Sequence, residues 1–176
     1  MTPPHREPVT IRSRTDADLD AAAAALVEVH RTDGYPVEGV DHPRAWLVDP
    51  HQLAAWIAEL DGHTVGHVAL SDPQPADAAA SLWNKHPDSS GEPPAVLGRL
   101  FVLSSARGHA LGERLARTAT DYAHRHGRRA VLDVMAKDGA AIRLYERLGW
   151  RRIGTTQHDD GHGNAIDAYC YVSPEE

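Results

Sequence analysis

The sequence predicts an α/β protein in one domain over residues 1–176, with a mixed central sheet of about seven strands flanked by helices. Three observations carry this. Short apolar or alternating runs recur at 9–15, 51–60, 63–71, 95–103, 130–136, 150–157 and 165–172. Segments of helical period lie between them at 16–31, 110–127 and 139–149. The chain has 176 residues, 41% apolar and 24% charged, enough for one ordinary core and too few for two comfortable ones.

Taken in order, "VTIRSRT" (9–15) alternates as a first strand. Asp16 is read as the cap of the Ala-rich helix that follows, because acidic residues suit the positive end of the helix dipole. "TDGYP" stops that helix, and a loop or short helical stretch runs on through "HPRAWLVDP". Two alternating runs joined by Asp61-Gly62 predict a hairpin. Residues 72–94 then form a long insert between the third and fourth strands, rich in Pro, Asp and Ser, with one short helix near "ADAAASLW". A connection of that length is expected to be a functional lid or a mobile segment.

"AVLGRLFVL" (95–103) reads as a buried fourth strand. The helix after it places Leu111, Leu115, Ala119 and Tyr122 on one stripe and ends at Gly127. "AVLDVMA" is the fifth strand, and Asp138 caps a short helix closed by Gly149. Two strands around the polar turn "HDDGHGN" complete the order.

Charge and cysteine content exclude several classes. Lys+Arg is 18 against Asp+Glu 25, a net charge of −7, so a duplex nucleic-acid binder is not expected. An anionic ligand must be held by a local site. The single cysteine, Cys170, allows no disulfide framework and no zinc spacing. No run of 18 apolar residues is present, so no membrane span is expected. "MTPPHREPVT" has no apolar stretch and does not read as a signal peptide, and a reducing cytoplasm is the expected location. Of the twelve histidines, His124 and His126 do not share a helical face. His158 and His162 in the last turn suit a solvated loop better than a metal site, so no metal is expected.

The stretch "SSARGHALGERLA" (104–116) sits between the fourth strand and its helix. A helix start exposes unpaired N–H groups and carries about half a positive charge, and flanking glycines let an anion approach the backbone. It is neither a Walker A loop, for no Gly-Lys-Ser/Thr follows, nor a dinucleotide fingerprint, for it is not GxGxxG and the spacing to a ribose-binding acid is absent. Its own residues leave open a phosphate cradle or an ordinary capped turn.

Further on comes "D-x-x-A-x-x-L-Y-x-x-L-G-W" from Asp138 to Trp150. With Arg107-x-x-Ala110-x-Gly112 before it, the sequence resembles the GNAT superfamily of acetyl-CoA-dependent N-acetyltransferases. That family carries Arg/Gln-x-x-Gly-x-Gly/Ala after its fourth strand and Asn-x-x-Ala-x-x-Leu-Tyr-x-x-x-Gly-Phe later. The resemblance implies a fold with splayed fourth and fifth strands. It implies that the backbone of Arg107, Gly108, His109, Ala110, Leu111 and Gly112 holds the pyrophosphate of acetyl-CoA. The pantetheine arm would pair with the fourth strand around Phe101 and Val102, and Asp138 stands at the position whose asparagine contacts CoA in the family. Two positions depart from the pattern. Ala110 replaces glycine, at a cost of roughly 1–2 kcal/mol if φ is positive and none if the residue is helical. Asp138 replaces asparagine; it caps as well but is no donor.

The resemblance also gives Tyr145 the role of proton donor to the departing thiolate, within reach of a phenol of pKa about 10. Its helical position, shared with Ala141 and Leu148, equally suits a core residue. The base that frees the amine is open among Asp33, Glu38, His67, His30 and a relayed water, since Val96 stands where many relatives place a glutamate. The acceptor would enter between 31–42 and 155–167, whose Asp33, Glu38, Asp41, Asp159 and Asp160 suit a cationic small-molecule or peptide amine. Tyr35, Trp46, Trp56 and Trp83 line either that pocket or the interior, Trp56 reading as core. Trp83, if exposed, would mark a lid or a homodimer contact. Two other readings stay open: a catalytically silent CoA-binding module, and an unrelated nucleotide binder.

Overall fold

The computed structural model describes residues 9–36, 38–159 and 162–175. In chain order the elements are β1 (Val9–Ser13), α1 (Leu19–Asp33), α2 (Pro43–Leu47), β2 (Gln52–Leu60), β3 (His63–Ser71), α3 (Ala78–Asn84), β4 (Ala95–Val102), α4 (Leu111–Arg125), β5 (Ala130–Met135), α5 (Gly139–Arg147), β6 (Arg151–Asp159) and β7 (Ala165–Val172). They build one seven-stranded sheet in the order β1-β2-β3-β4-β5-β7-β6. Only β4 and β5 run parallel, because α4 carries the chain back across the sheet between them.

Local chemistry explains most boundaries. The hairpin turn holds Asp61 at φ 53° and Gly62 at φ 79°, the paired left-handed geometry that a two-residue loop needs and Asp-Gly tolerates. The 3₁₀ turn that leads into α1 is capped by Thr15 rather than Asp16. Asp18 draws the cap there: its carboxylate accepts from the Thr15 N–H at 2.7 Å and from Arg12 at 2.7 and 2.9 Å. Residues 16–18 make a 3₁₀ turn, and the regular helix begins at Leu19.

The face under α4 and α5 is the larger core, where Trp56, Leu97, Leu115, Ala119, Leu132 and Trp150 pack together. Strand alternation sends the intervening residues to the other face. There α1 and α2 bury Leu26 and Leu47 against Phe101, and α3 buries Trp83 against Val131, Cys170 and Val172. Trp56 is in the core as expected.

Within the 72–94 connection, α3 packs onto the sheet. Trp83 is 2% exposed, so it offers neither a lid surface nor a dimer contact. The Arg129 guanidinium lies 4.9 Å from its ring. Arg128 ties the ends of the segment together, donating to Asp72 at 2.8 Å, Pro93 at 3.1 Å and Pro94 at 2.9 Å. Among the described residues no helix is long and apolar enough to cross a membrane.

Candidate active site

The parallel ladder between β4 and β5 lasts for two registers, Ala95↔Ala130 and Val96↔Val131. Beyond them the strands part. From Leu97 onward β4 keeps β3 on one side and has no ladder partner on the other, which leaves a row of backbone donors and acceptors along the split. Phe101 and Val102 lie on this open edge; Phe101 is buried and stacked on His67 at 5.3 Å, so its backbone is the part that can be reached.

A bulge shapes the same strand. Ala69 pairs with Gly98 and His67 with Phe101, so Arg99 and Leu100 stand opposite Val68 alone. Arg99 has φ 54°, a conformation that costs a non-glycine residue energy and must be held. Its carbonyl accepts from His67 Nδ1 at 2.9 Å, its Nε donates to the Trp46 carbonyl at 2.7 Å, and its guanidinium sits 5.3 Å from the Trp46 ring. His67 is fully buried, and its Nε2 accepts from Arg14 at 3.0 Å. These partners define the neutral tautomer. Burial, with help from the Arg14 and Arg99 charges, pushes the imidazole down to about 4 against the bond to Arg99. His67 is therefore a structural residue with both nitrogens engaged, and it drops out as a base.

Past the open edge the chain turns through Ser104–Ala106 and enters α4. Gly108 has φ 94°, and Ala110, the N-cap, has φ 53° and ψ 33° with no side-chain cap bond. Ala110 thus takes the strained alternative. Among the described residues, the backbone N–H groups of Gly108, His109, Ala110, Leu111, Gly112 and Glu113 meet no protein acceptor. They crowd at one helix start and fit an anion. A Cβ on Gly112 would meet only Leu144 Cδ2 at 3.5 Å, an ordinary contact. The Arg107 guanidinium forms an ion pair with Asp33 at the end of α1 and its N–H donates to the Ser104 carbonyl at 3.3 Å, so the free amides begin at Gly108.

On the opposite bank, Asp138 caps α5 as expected, accepting from the Ala141 N–H at 3.1 Å. The helix turns Tyr145 inward, 5% exposed, with its ring 5.4 Å from that of Trp150. Burial first, then Tyr35 and Asp138, holds the phenol well above its ordinary range, so it stays protonated. Among the described residues its hydroxyl has no hydrogen-bond partner. Tyr35 answers from the α1–α2 loop: its ring meets Trp46 edge-on at 5.8 Å, and burial with Glu38, Asp138 and Asp133 raises its phenol as well, against Arg99.

The structure adds residues that sequence reading passed over. Arg99 and Arg14 hold the bulge, and neither has a local signature. Asp133 on β5 bonds His158 on β6, a strand that is not its neighbour. The one visible signal for Asp133 was a lone carboxylate in the apolar run "AVLDVM". Of the proposed bases, Asp33 is paired with Arg107 and Glu38 accepts from Trp46 Nε1 at 2.6 Å. His30 Nδ1 is buried without a partner. Asp160 lies outside the described residues. Among the described residues no group of three or more His, Cys, Asp or Glu is gathered in a metal-binding arrangement.

A sheet split beside β4, an unfilled helix start at its end and a buried tyrosine across the gap define an α/β protein built to hold an anionic ligand along a strand edge. The chain belongs to the acetyltransferase (GNAT) family, whose model matches residues 21–150. It is 32% identical to N-acetylaspartate synthetase of Danio rerio over 114 residues, covering 64% of this chain and 35% of that protein. The chain thus spans about a third of that relative's length. An N-acetyltransferase from Staphylococcus aureus Mu50 superposes with a TM-score of 0.70 at 19% identity, over 96% of this chain and 99% of that one. Arabidopsis thaliana NAA60, solved in complex with acetyl-CoA, gives 0.66 at 21% identity over 94% and 98%.

Proposed function

We propose that the protein is an N-acetyltransferase that moves an acetyl group from acetyl-CoA to a primary amine within one ternary complex. The observation that carries this is the run of free N–H groups at 108–113, which follows directly on the open edge of β4. Acetyl-CoA would supply the activated acyl group, with its pyrophosphate at residues 107–112 and its arm along Phe101 and Val102. Tyr145 would hold the proton that the departing thiolate takes. Its raised pKa keeps that proton in place at neutral pH. The acetyl-CoA complex of NAA60 supports this choice of ligand. A reducing cytoplasm is the proposed setting, where the buried Cys170 thiol needs no partner.

For the acceptor we favour a cationic small-molecule or peptide amine. Glu38 is exposed and has no ion-pair partner among the described residues, and the charges of Glu38, Asp138 and Asp133 all bear on Tyr35. The test is thiol release from acetyl-CoA with a panel of amines, peptides and amino acids, aspartate included because of the zebrafish relative's name. Turnover with cationic amines is expected, and preference for neutral or acidic acceptors overturns the charge argument. Thermal stabilisation by CoA and not by ATP is expected, since a ligand raises stability by mass action. Stabilisation by CoA without turnover of any amine would make the chain a silent CoA-binding module.

A further inference from the structure

We infer that His158 and Asp133 form the proton-accepting pair that frees the amine, His158 taking the proton and Asp133 positioning it. The inference rests on the acetyltransferase reading above and supplies the base that reading lacks.

The pair is a product of the sheet. Asp133 stands opposite Cys170 on β7, and His158 stands opposite Ile166 on the far side of the same strand. Alternation puts Cys170, Ala168 and Ile166 on one face, so the two side chains meet diagonally over Ala168. A larger residue at Ala168 would stand between them. Asp133 is also placed by the split: it lies two residues beyond Val131, the last β5 residue paired with β4, on the face away from α4.

The chemistry follows from the bond. His158 Nε2 donates to the Asp133 carboxylate, so the lone pair sits on Nδ1. Among the described residues Nδ1 has no partner, and the side chain is 36% exposed. Histidine is the side chain whose ordinary pKa lies nearest neutral pH, where an alkylammonium of pKa about 10.4 is almost wholly charged. The step is a single proton transfer, from the ammonium nitrogen to Nδ1. It leaves a neutral amine and an imidazolium whose charge is matched by Asp133, and the proton then passes to solvent. The other charged or titratable groups bearing on this corner are Tyr35 and Glu38 from the α1–α2 loop, Arg99 on β4, Asp138 at the start of α5, Cys170 on β7 and Asp159 on β6. Tyr35 lies within electrostatic range of both Asp133 and Tyr145.

The experiment is the pH profile of kcat/KM for the acceptor at saturating acetyl-CoA, for the wild type, His158→Gln and Asp133→Asn. The wild type should show an acidic limb of unit slope in the histidine range. His158→Gln should lose that limb and fall at least tenfold at pH 7, within the 10²–10⁴ range of general-base effects, with KM for acetyl-CoA unchanged. Its defect should shrink toward pH 10, where the amine deprotonates by itself. Asp133→Asn, which removes the carboxylate that orients the ring, should keep the limb and lose less than His158→Gln. A His158→Gln profile that keeps the limb, or runs parallel to the wild type at every pH, overturns the pair while leaving the acetyltransferase reading intact. No turnover by the wild type with any amine overturns both.

Discussion

Replacing Ala110 with glycine should make the protein more stable, which reverses the usual sense of an alanine-to-glycine change inside a helical region. Ala110 holds φ 53° and ψ 33° as the N-cap of α4. The left-handed conformation costs an L-residue about 1–2 kcal/mol because Cβ crowds the following carbonyl, and glycine has no Cβ. Against this, glycine gives the unfolded chain more freedom, worth about 0.4–1 kcal/mol. Ala110 is exposed, so no apolar burial is lost with the methyl group. The net gain is about 0.5–1 kcal/mol, or a rise of roughly 1–4 °C in Tm for a chain of this size. Urea unfolding of both proteins measures it: the midpoint should rise with the m-value unchanged. Gly108→Ala is the control, since Gly108 has φ 94° and nothing within 4 Å of an added Cβ, so that change should destabilise by conformation alone. A fall in midpoint for Ala110→Gly, or a gain for Gly108→Ala, would refute the reasoning.

Tyr145→Phe should lower turnover at least tenfold while CoA still stabilises the protein to the same extent; unchanged turnover would remove Tyr145 from the chemistry. His67 makes stability depend on pH. Its folded pKa of about 4 lies below the ordinary 6.5, so the unfolded chain binds the extra proton and stability falls as pH drops from 6.5 toward 4, by about 3 kcal/mol in all. His67→Gln, which keeps a donor and an acceptor, should flatten that part of the denaturation profile, and parallel curves would refute the assignment. Trp83→Ala should cost about 3–5 kcal/mol from the cavity it leaves, with kcat/KM retained in the folded protein. Loss of turnover at unchanged stability would instead restore the lid reading.

Much of the fold was legible because it is written locally. Alternation marks β2 and β3, Asp61-Gly62 marks their turn, and Asp138 and Gly149 bracket α5. The cap at Thr15 was misplaced by one residue because Asp18 answers to Arg12 on β1, a partner that local reading of the helix start does not weigh. The 72–94 segment read as a lid or a mobile stretch from its length and composition; local reading did not show that Trp83 is buried and that Arg128 bonds both its ends.

The sequence by itself determined the helices and strands, the glycine-bearing helix start and the inward position of Tyr145, since each depends on residues within a few turns or a single strand. Only the tertiary structure decided the rest. The split between β4 and β5, the bulge at Arg99 held by His67, and the meeting of Asp133 with His158 over Ala168 all depend on which strands lie side by side and in what register. It also decided Ala110. A backbone forced left-handed so that the chain can turn from β4 into α4 is a long-range demand, and alanine gives no local sign that it must meet it.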